Sequence, residues 1–204
     1  MLVIGFDLDM TLIDTVPGFA ATLDALGAEL GVEFPTAELT QNLGPPLDHL
    51  LRDHLPEADI AAAGDRFRAL YPAHAIAPTL ALPGAHAALA AVRRHRGQIV
   101  IVTGKYAPNA QLHIDHLRFD VDHLEGWVWG AQKGAVLARH GASAYVGDHV
   151  HDVEGARAAG ILSVSVLTGG STAAQLREAG TDVVLDSLEA FPEWLDHHVV
   201  TTPG

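Results

Sequence analysis

The chain has 204 residues, 49% of them hydrophobic, which is enough to bury one large core or two small ones. Its 12 Lys and Arg against 25 Asp and Glu give a net charge of -13, which repels nucleic acid and anionic membranes and leaves a small or metal-neutralised ligand as the expected partner. There is no Cys, so disulfides, thiolate metal sites and cysteine nucleophiles are excluded; with no basic stretch ahead of the first apolar run, a cytoplasmic protein is expected.

Residues 2–6 form an apolar run closed by Asp7, which predicts a central strand buried on both faces. From 15 to 79 the pattern is helical, at 19–30, 47–55 and 60–70, and too long for a simple crossover. It predicts a helical insertion on linkers near 14–17 and 76–82. The stretch 69–92 carries no Asp, Glu, Lys or Arg, but Pro72, Pro78, Pro83 and Gly84 interrupt it, so it reads as a helix end, a linker and a new helix rather than a membrane span.

Further strands are predicted at 98–102, 124–128, 144–146, 162–166 and 183–185, with helices at 86–96, 108–117, 135–140, 153–159, 173–179 and 188–197. Such alternation predicts an α/β fold: a Rossmann-like parallel sheet core in three layers, built from 1–14 and 80–204, with 15–79 as an inserted α-helical cap. Trp127 and Trp129 alternate along one predicted strand and are expected to cover the sheet.

Ligands of open parallel sheets bind at the carboxyl ends of the strands. The first strand delivers Asp7-Leu8-Asp9-Met10-Thr11, and the next ends in Thr103-Gly104-Lys105, whose hydroxyl, open backbone amide and ammonium suit a phosphate oxygen. Lys133 precedes a predicted helix, and a later strand runs into Gly147-Asp148, with Asp152 close behind. Lys105 and Lys133 are the only lysines in the chain, and both lie at strand-to-helix transitions. The acid cluster is coherent only around a hard divalent cation, and Mg²⁺ prefers oxygen ligands. Asp7 can then attack phosphorus and form an aspartyl-phosphate, while Asp9 protonates the leaving oxygen and later activates water.

These segments, in this order, resemble the four motifs of the haloacid dehalogenase superfamily, and the insertion resembles the helical cap of its phosphoglycolate phosphatase-like branch, as does the segment 42–47. The resemblance implies that Asp7 is nucleophile and metal ligand, and that Asp9 is acid/base and gives its carbonyl to the metal. It implies that Thr103 and Lys133 hold the phosphoryl group, that Asp148 ligates Mg²⁺, and that Asp152 binds the metal or its water, or orients Lys133. Thr11, Gly104 and Lys105 are expected to contact substrate. Met10 stands where the family usually has Gly, and Gly134 where Pro commonly follows the motif Lys.

The expected activity is Mg²⁺-dependent hydrolysis of a small phosphorylated metabolite, phosphoglycolate-like or a sugar phosphate, by a monomer or homodimer. A phosphosugar mutase, a dehalogenase and a non-catalytic phosphate-binding module are the alternatives. The pairs His113/His116 and His149/His151 read as surface histidines, the second close enough to tune the site. Arg52, Arg66, Arg68 and His74 read as solvated, or as holders of an anionic substrate tail.

Overall fold

The computed structural model describes residues 1–43 and 46–201, so Gly44 and Pro45 of the segment 42–47 lie outside the described residues. Six short runs pair into one sheet: β1 (Val3–Phe6), β4 (Gln98–Val102), β5 (His123–Glu125), β6 (Ala144–Gly147), β7 (Leu162–Val166) and β8 (Val183–Leu185). Their order is β5-β4-β1-β6-β7-β8, and every neighbouring pair is parallel. The chain leaves β1 toward β4 and β5, then returns to the other side of β1 for β6, so a crevice opens at the carboxyl ends of β1, β4 and β6.

Strand alternation divides the core into two layers. Ile4, Phe6, Ile99, Ile101 and Val146 face one way, against α5 (Ala85–Arg94), α6 (Ala107–Leu117) and α10 (Phe191–Thr201). Val3, Val100, Val102 and Tyr145 face the other way, against α7 (Gln132–Arg139) and α8 (Val150–Ala159). The result is the expected three-layer α/β arrangement. One further helix, α9 (Ala173–Ala179), packs beside α8.

The segment between β1 and α5 builds a third cluster of its own. Phe19, Leu23 and Leu26 of α1 (Val16–Leu30) meet Ile60, Phe67 and Tyr71 of α4 (Glu57–His74), with Leu51 of the short α3 (Leu47–Leu51) alongside; the turn α2 (Thr36–Leu39) contacts α1. The chain enters and leaves this unit through an antiparallel ribbon of two residue pairs, β2 (Ile13–Asp14) with β3 (Leu80–Ala81). Neither strand was predicted, because two residues display no period.

Pro72, read as a helix breaker, sits inside the last turns of α4. Its missing N–H leaves the carbonyl of Arg68 without its helical donor, and the side chain of Asn109 on α6 donates to that oxygen instead, at 3.3 Å. Among the described residues, no helix is long and apolar enough to cross a membrane.

Gly18 marks where α1 crosses the end of α4: a Cβ there would lie 2.5 Å from the carbonyl oxygen of Ala75 and 2.6 Å from Thr79 Oγ1. Gly→Ala inside a helix ordinarily stabilises by up to about 1 kcal/mol. Here overpacking reverses the sign, and Gly18→Ala is expected to cost about 1–3 kcal/mol, read as a lower urea midpoint.

Candidate active site

Asp7 is the first residue past β1, and its amide continues the ladder to the carbonyl of Val146 at 2.8 Å, which fixes its backbone at the mouth of the sheet. Asp148 follows β6 and Thr103 follows β4, so three strand ends supply one side chain each. Lys133 was expected just ahead of its helix but lies within the first turn of α7, which begins at Gln132. Its buried ammonium donates to Asp7 Oδ1 at 2.9 Å, to Asp152 Oδ1 at 2.7 Å and to the Tyr145 hydroxyl at 2.8 Å, and that hydroxyl in turn donates to the carbonyl of Val102. Asp152 also caps α8, its Oδ2 accepting the amide of His149 at 3.1 Å.

Asp7, Asp148 and Asp152 each bring a carboxylate oxygen to within 4.8 Å of the others. An all-oxygen, negatively charged donor set of this kind fits a hard divalent cation. Burial pushes the Asp7 carboxyl up to about 7, with Lys133 opposing the rise and Asp152 and Asp9 adding to it. Burial, then the carboxylates of Asp152 and Asp7, raise Asp148 well above the usual range. Lys133 stays charged, because the same carboxylates outweigh the cost of its burial. One ammonium is too little compensation for three carboxylates.

Asp9 has a different neighbourhood. Burial alone would raise its carboxyl, but the Lys105 ammonium, 2.6 Å away, and the Thr15 hydroxyl overrule it and hold Asp9 below the usual carboxylate range. Lys105, expected to touch substrate, is thus committed to Asp9, and it lies 4.7 Å from the centre of the Tyr71 ring. The Tyr71 hydroxyl meets His113 Nε2 at 3.0 Å. His113, read as a surface histidine, is fully buried, and its Nδ1 is the one buried side-chain polar atom without a partner among the described residues.

The structure places several other residues that the sequence singles out. Thr11 is fully buried and donates to Asp148 Oδ1 at 2.8 Å, so it steadies a carboxylate instead of facing substrate. Gly104 borders the pocket, but the Trp129 ring occupies the place where a Cβ would stand. Gly134 lies inside α7 against α8, where a Cβ would sit 2.6 Å from that of Ala158, so close helix packing accounts for it. Met10 has φ 57, a left-handed backbone that favours glycine, which explains why a glycine is usual there. Trp127 and Trp129 do not cover the sheet, since β5 stops at Glu125 and both rings line the pocket.

Sequence reading also missed Thr15, Tyr145 and Gly169. Gly169 follows β7, and any side chain there would overlap the carboxylate of Asp148. Asp7, Asp9, Thr15, Thr103, Lys105, Lys133, Asp148 and Asp152 line one cavity of about 410 Å³ between the acid cluster and the helices α1, α3 and α4.

A family model described as haloacid dehalogenase-like hydrolase matches residues 1–160, and a second, HAD-hydrolase-like, matches 131–191. The chain is 30% identical over 199 residues to the tyrosine-protein kinase PtkA of Mycobacterium tuberculosis, a match covering 88% of this chain and 66% of that protein, so it spans just under two thirds of that relative. It is 31% identical over 212 residues to the phosphoglycolate phosphatase of a Cupriavidus necator plasmid, covering 93% of this chain and 90% of that one. Among solved structures, a haloacid dehalogenase-like family hydrolase from Streptococcus pneumoniae superposes with a TM-score of 0.82 over 98% of both chains at 24% identity, a likeness of fold.

Burial, and then the Lys105 charge, push His113 down to about 4 from an ordinary value of 6.5. The unfolded chain therefore takes up a proton near pH 6.5 that the folded chain refuses until about pH 4. Stability is expected to fall by about 2–4 kcal/mol as pH drops through that window. Chemical denaturation across pH 4–7 should show the loss in the native protein and a flatter profile in His113→Leu.

Proposed function

The chain belongs to the haloacid dehalogenase-like hydrolases, and on that premise we propose that it is a Mg²⁺-dependent phosphomonoester hydrolase that works through an aspartyl-phosphate on Asp7. The observation that carries this reading is the floor of the cavity, where Asp7 stands 2.9 Å from the Lys133 ammonium and within reach of the Asp148 and Asp152 carboxylates. Asp7, Asp148 and Asp152 would hold the ion, with the Asp9 carbonyl as a further donor. Bound there, Mg²⁺ offsets the carboxylate charge and that of the phosphoryl oxygens.

In the first half-reaction a carboxylate oxygen of Asp7 bonds to phosphorus as the bond to the leaving oxygen breaks, and Asp9, which first takes a proton from solvent against the pull of Lys105 and Thr15, gives that proton to the leaving oxygen. Thr103 and Lys133 hold the transferring group. In the second half, Asp9 takes a proton from water, the water oxygen bonds to phosphorus, and the bond to Asp7 breaks, releasing phosphate. The Lys105 and Thr15 contacts favour the ionised Asp9 that this second step needs. The helices of 15–79 act as a cap that shields the site from bulk water.

The substrate is a small phosphorylated metabolite acted on in the cytoplasm, and a panel that includes the phosphoglycolate-like acids and sugar phosphates implied by the resemblance defines which one. Asp7→Asn is expected to lower phosphate release from a metabolite panel by about four orders of magnitude or more, and chelator to abolish it in the native protein. Turnover indifferent to both overturns the reading; formation of an isomer without phosphate release points to a mutase.

Because Asp7 holds its proton up to about pH 7 in the ion-free site, an entering ion must displace it. Calorimetric Mg²⁺ affinity is therefore expected to rise with pH through 7, with proton release visible as a dependence of the measured heat on buffer ionisation enthalpy.

A further inference from the structure

Resting on the phosphatase reading, we propose that the leaving group is a flat aromatic or apolar alcohol, and that phosphate esters bearing a second anionic group are poor substrates. Three observations on the cavity support this.

The first is charge. Among the described residues the lysines and arginine lining the cavity are Lys105, Lys133 and Arg68; His149 and His151 line it too, His149 Nδ1 accepting the His151 amide and His151 meeting Glu154 at 2.9 Å. Lys105 is held by Asp9 at 2.6 Å, and Lys133 by Asp7 and Asp152. Arg68 pairs with Asp65 at 2.9 Å and Asp48 at 3.5 Å. Each is committed to a carboxylate, and Asp48 itself lines the wall. A substrate carboxylate would have to break one of these pairs and face Asp48, whereas an uncharged body asks for neither.

The second is the surface opposite the acid cluster. Phe19 of α1, Leu47 and Leu50 of α3, and Phe67 of α4 turn apolar side chains into the cavity. At about 410 Å³ it is of the size that encloses an organic ligand, with room well beyond a phosphoryl group on a two-carbon acid.

The third is Trp127. Its φ of 59 is one that bulky residues seldom adopt, and the residue as a whole is 51% exposed at the edge of the cavity. The Tyr106 ring lies 5.2 Å from it and the Arg68 guanidinium 5.3 Å from its centre, so the indole is braced beside the opening. A strained backbone holding a large exposed ring at a site is a device for contacting a ligand.

The test compares three esters of primary alcohols, so that leaving-group chemistry differs little: 2-phenylethyl phosphate, ethyl phosphate and phosphoglycolate. With Mg²⁺, kcat/KM for 2-phenylethyl phosphate should exceed the other two at least tenfold, and Trp127→Ala should cut that preference at least tenfold. Calorimetry with the Asp7→Asn protein and Mg²⁺ should give the same order of affinity without relying on turnover. Phosphoglycolate as the best substrate and tightest ligand, or a preference untouched by Trp127→Ala, overturns the proposal while leaving the phosphatase reading in place. No turnover of any ester by the native protein overturns the phosphatase reading, and equal or absent binding in calorimetry then overturns the proposal as well.

Discussion

A single buried ammonium, that of Lys133, sets the geometry of the cavity floor. A charge removed from water is tolerated only when opposite charges and hydrogen-bond partners stand close by, and here Asp7, Asp152 and the Tyr145 hydroxyl provide them. The ends of β1 and β6 and the first turns of α7 and α8 must therefore converge on one point. Glycine follows from that convergence. At Gly147 a side chain would collide with Asp152, at Gly155 with Lys133, and at Gly134 with the neighbouring helix. Three glycines in two helices and a strand end are thus consequences of one ion cluster.

The cluster stays under-compensated, and this links folding to chemistry. Asp7 and Asp148 hold their protons more tightly than ordinary carboxylates because burial and mutual repulsion leave the site short of positive charge. Asp9, two residues from Asp7, is held the other way by Lys105. Two carboxylates of one short turn are therefore driven apart in acidity by their surroundings, which suits them to different tasks. Above this polar floor Phe19, Leu47, Leu50 and Phe67 make much of the wall, interrupted by Asp48 and Arg68, so one end of a ligand meets the ion cluster and the other meets mainly contact area.

Much of the core was legible in the sequence because central parallel strands are short apolar runs with polar punctuation, and the chemistry sits at the punctuation. Asp7, Thr103 and Asp148 all follow such runs and all reach the floor. The failures have physical causes. Strand β5 read too long because Trp127 and Val128 are apolar, yet the chain turns at Gly126, where any Cβ would strike Ala107, and adopts a left-handed backbone at Trp127. Helix α7 was predicted to start at 135, after Lys133, yet it begins at Gln132, and Gly134 inside it serves helix packing. Lys105 with Asp9, Tyr71 with His113 and Asn109 with the Arg68 carbonyl join residues 96, 42 and 41 positions apart, and no local pattern announces such pairings.

The ribbon of β2 and β3 has a mechanical meaning. Because Ile13 is tied to Ala81 and Asp14 to Leu80, the outgoing and returning chains cannot slide past each other independently. Relative motion of the helices above them is thereby reduced to pivoting about one strap, with torsion taken up beyond its ends. Such a pivot must break the Tyr71–His113 and Asn109–Arg68 hydrogen bonds and lift Tyr71 from Lys105, the residue that holds Asp9. Any swing of these helices would therefore be felt at Asp9, through Tyr71 and Lys105.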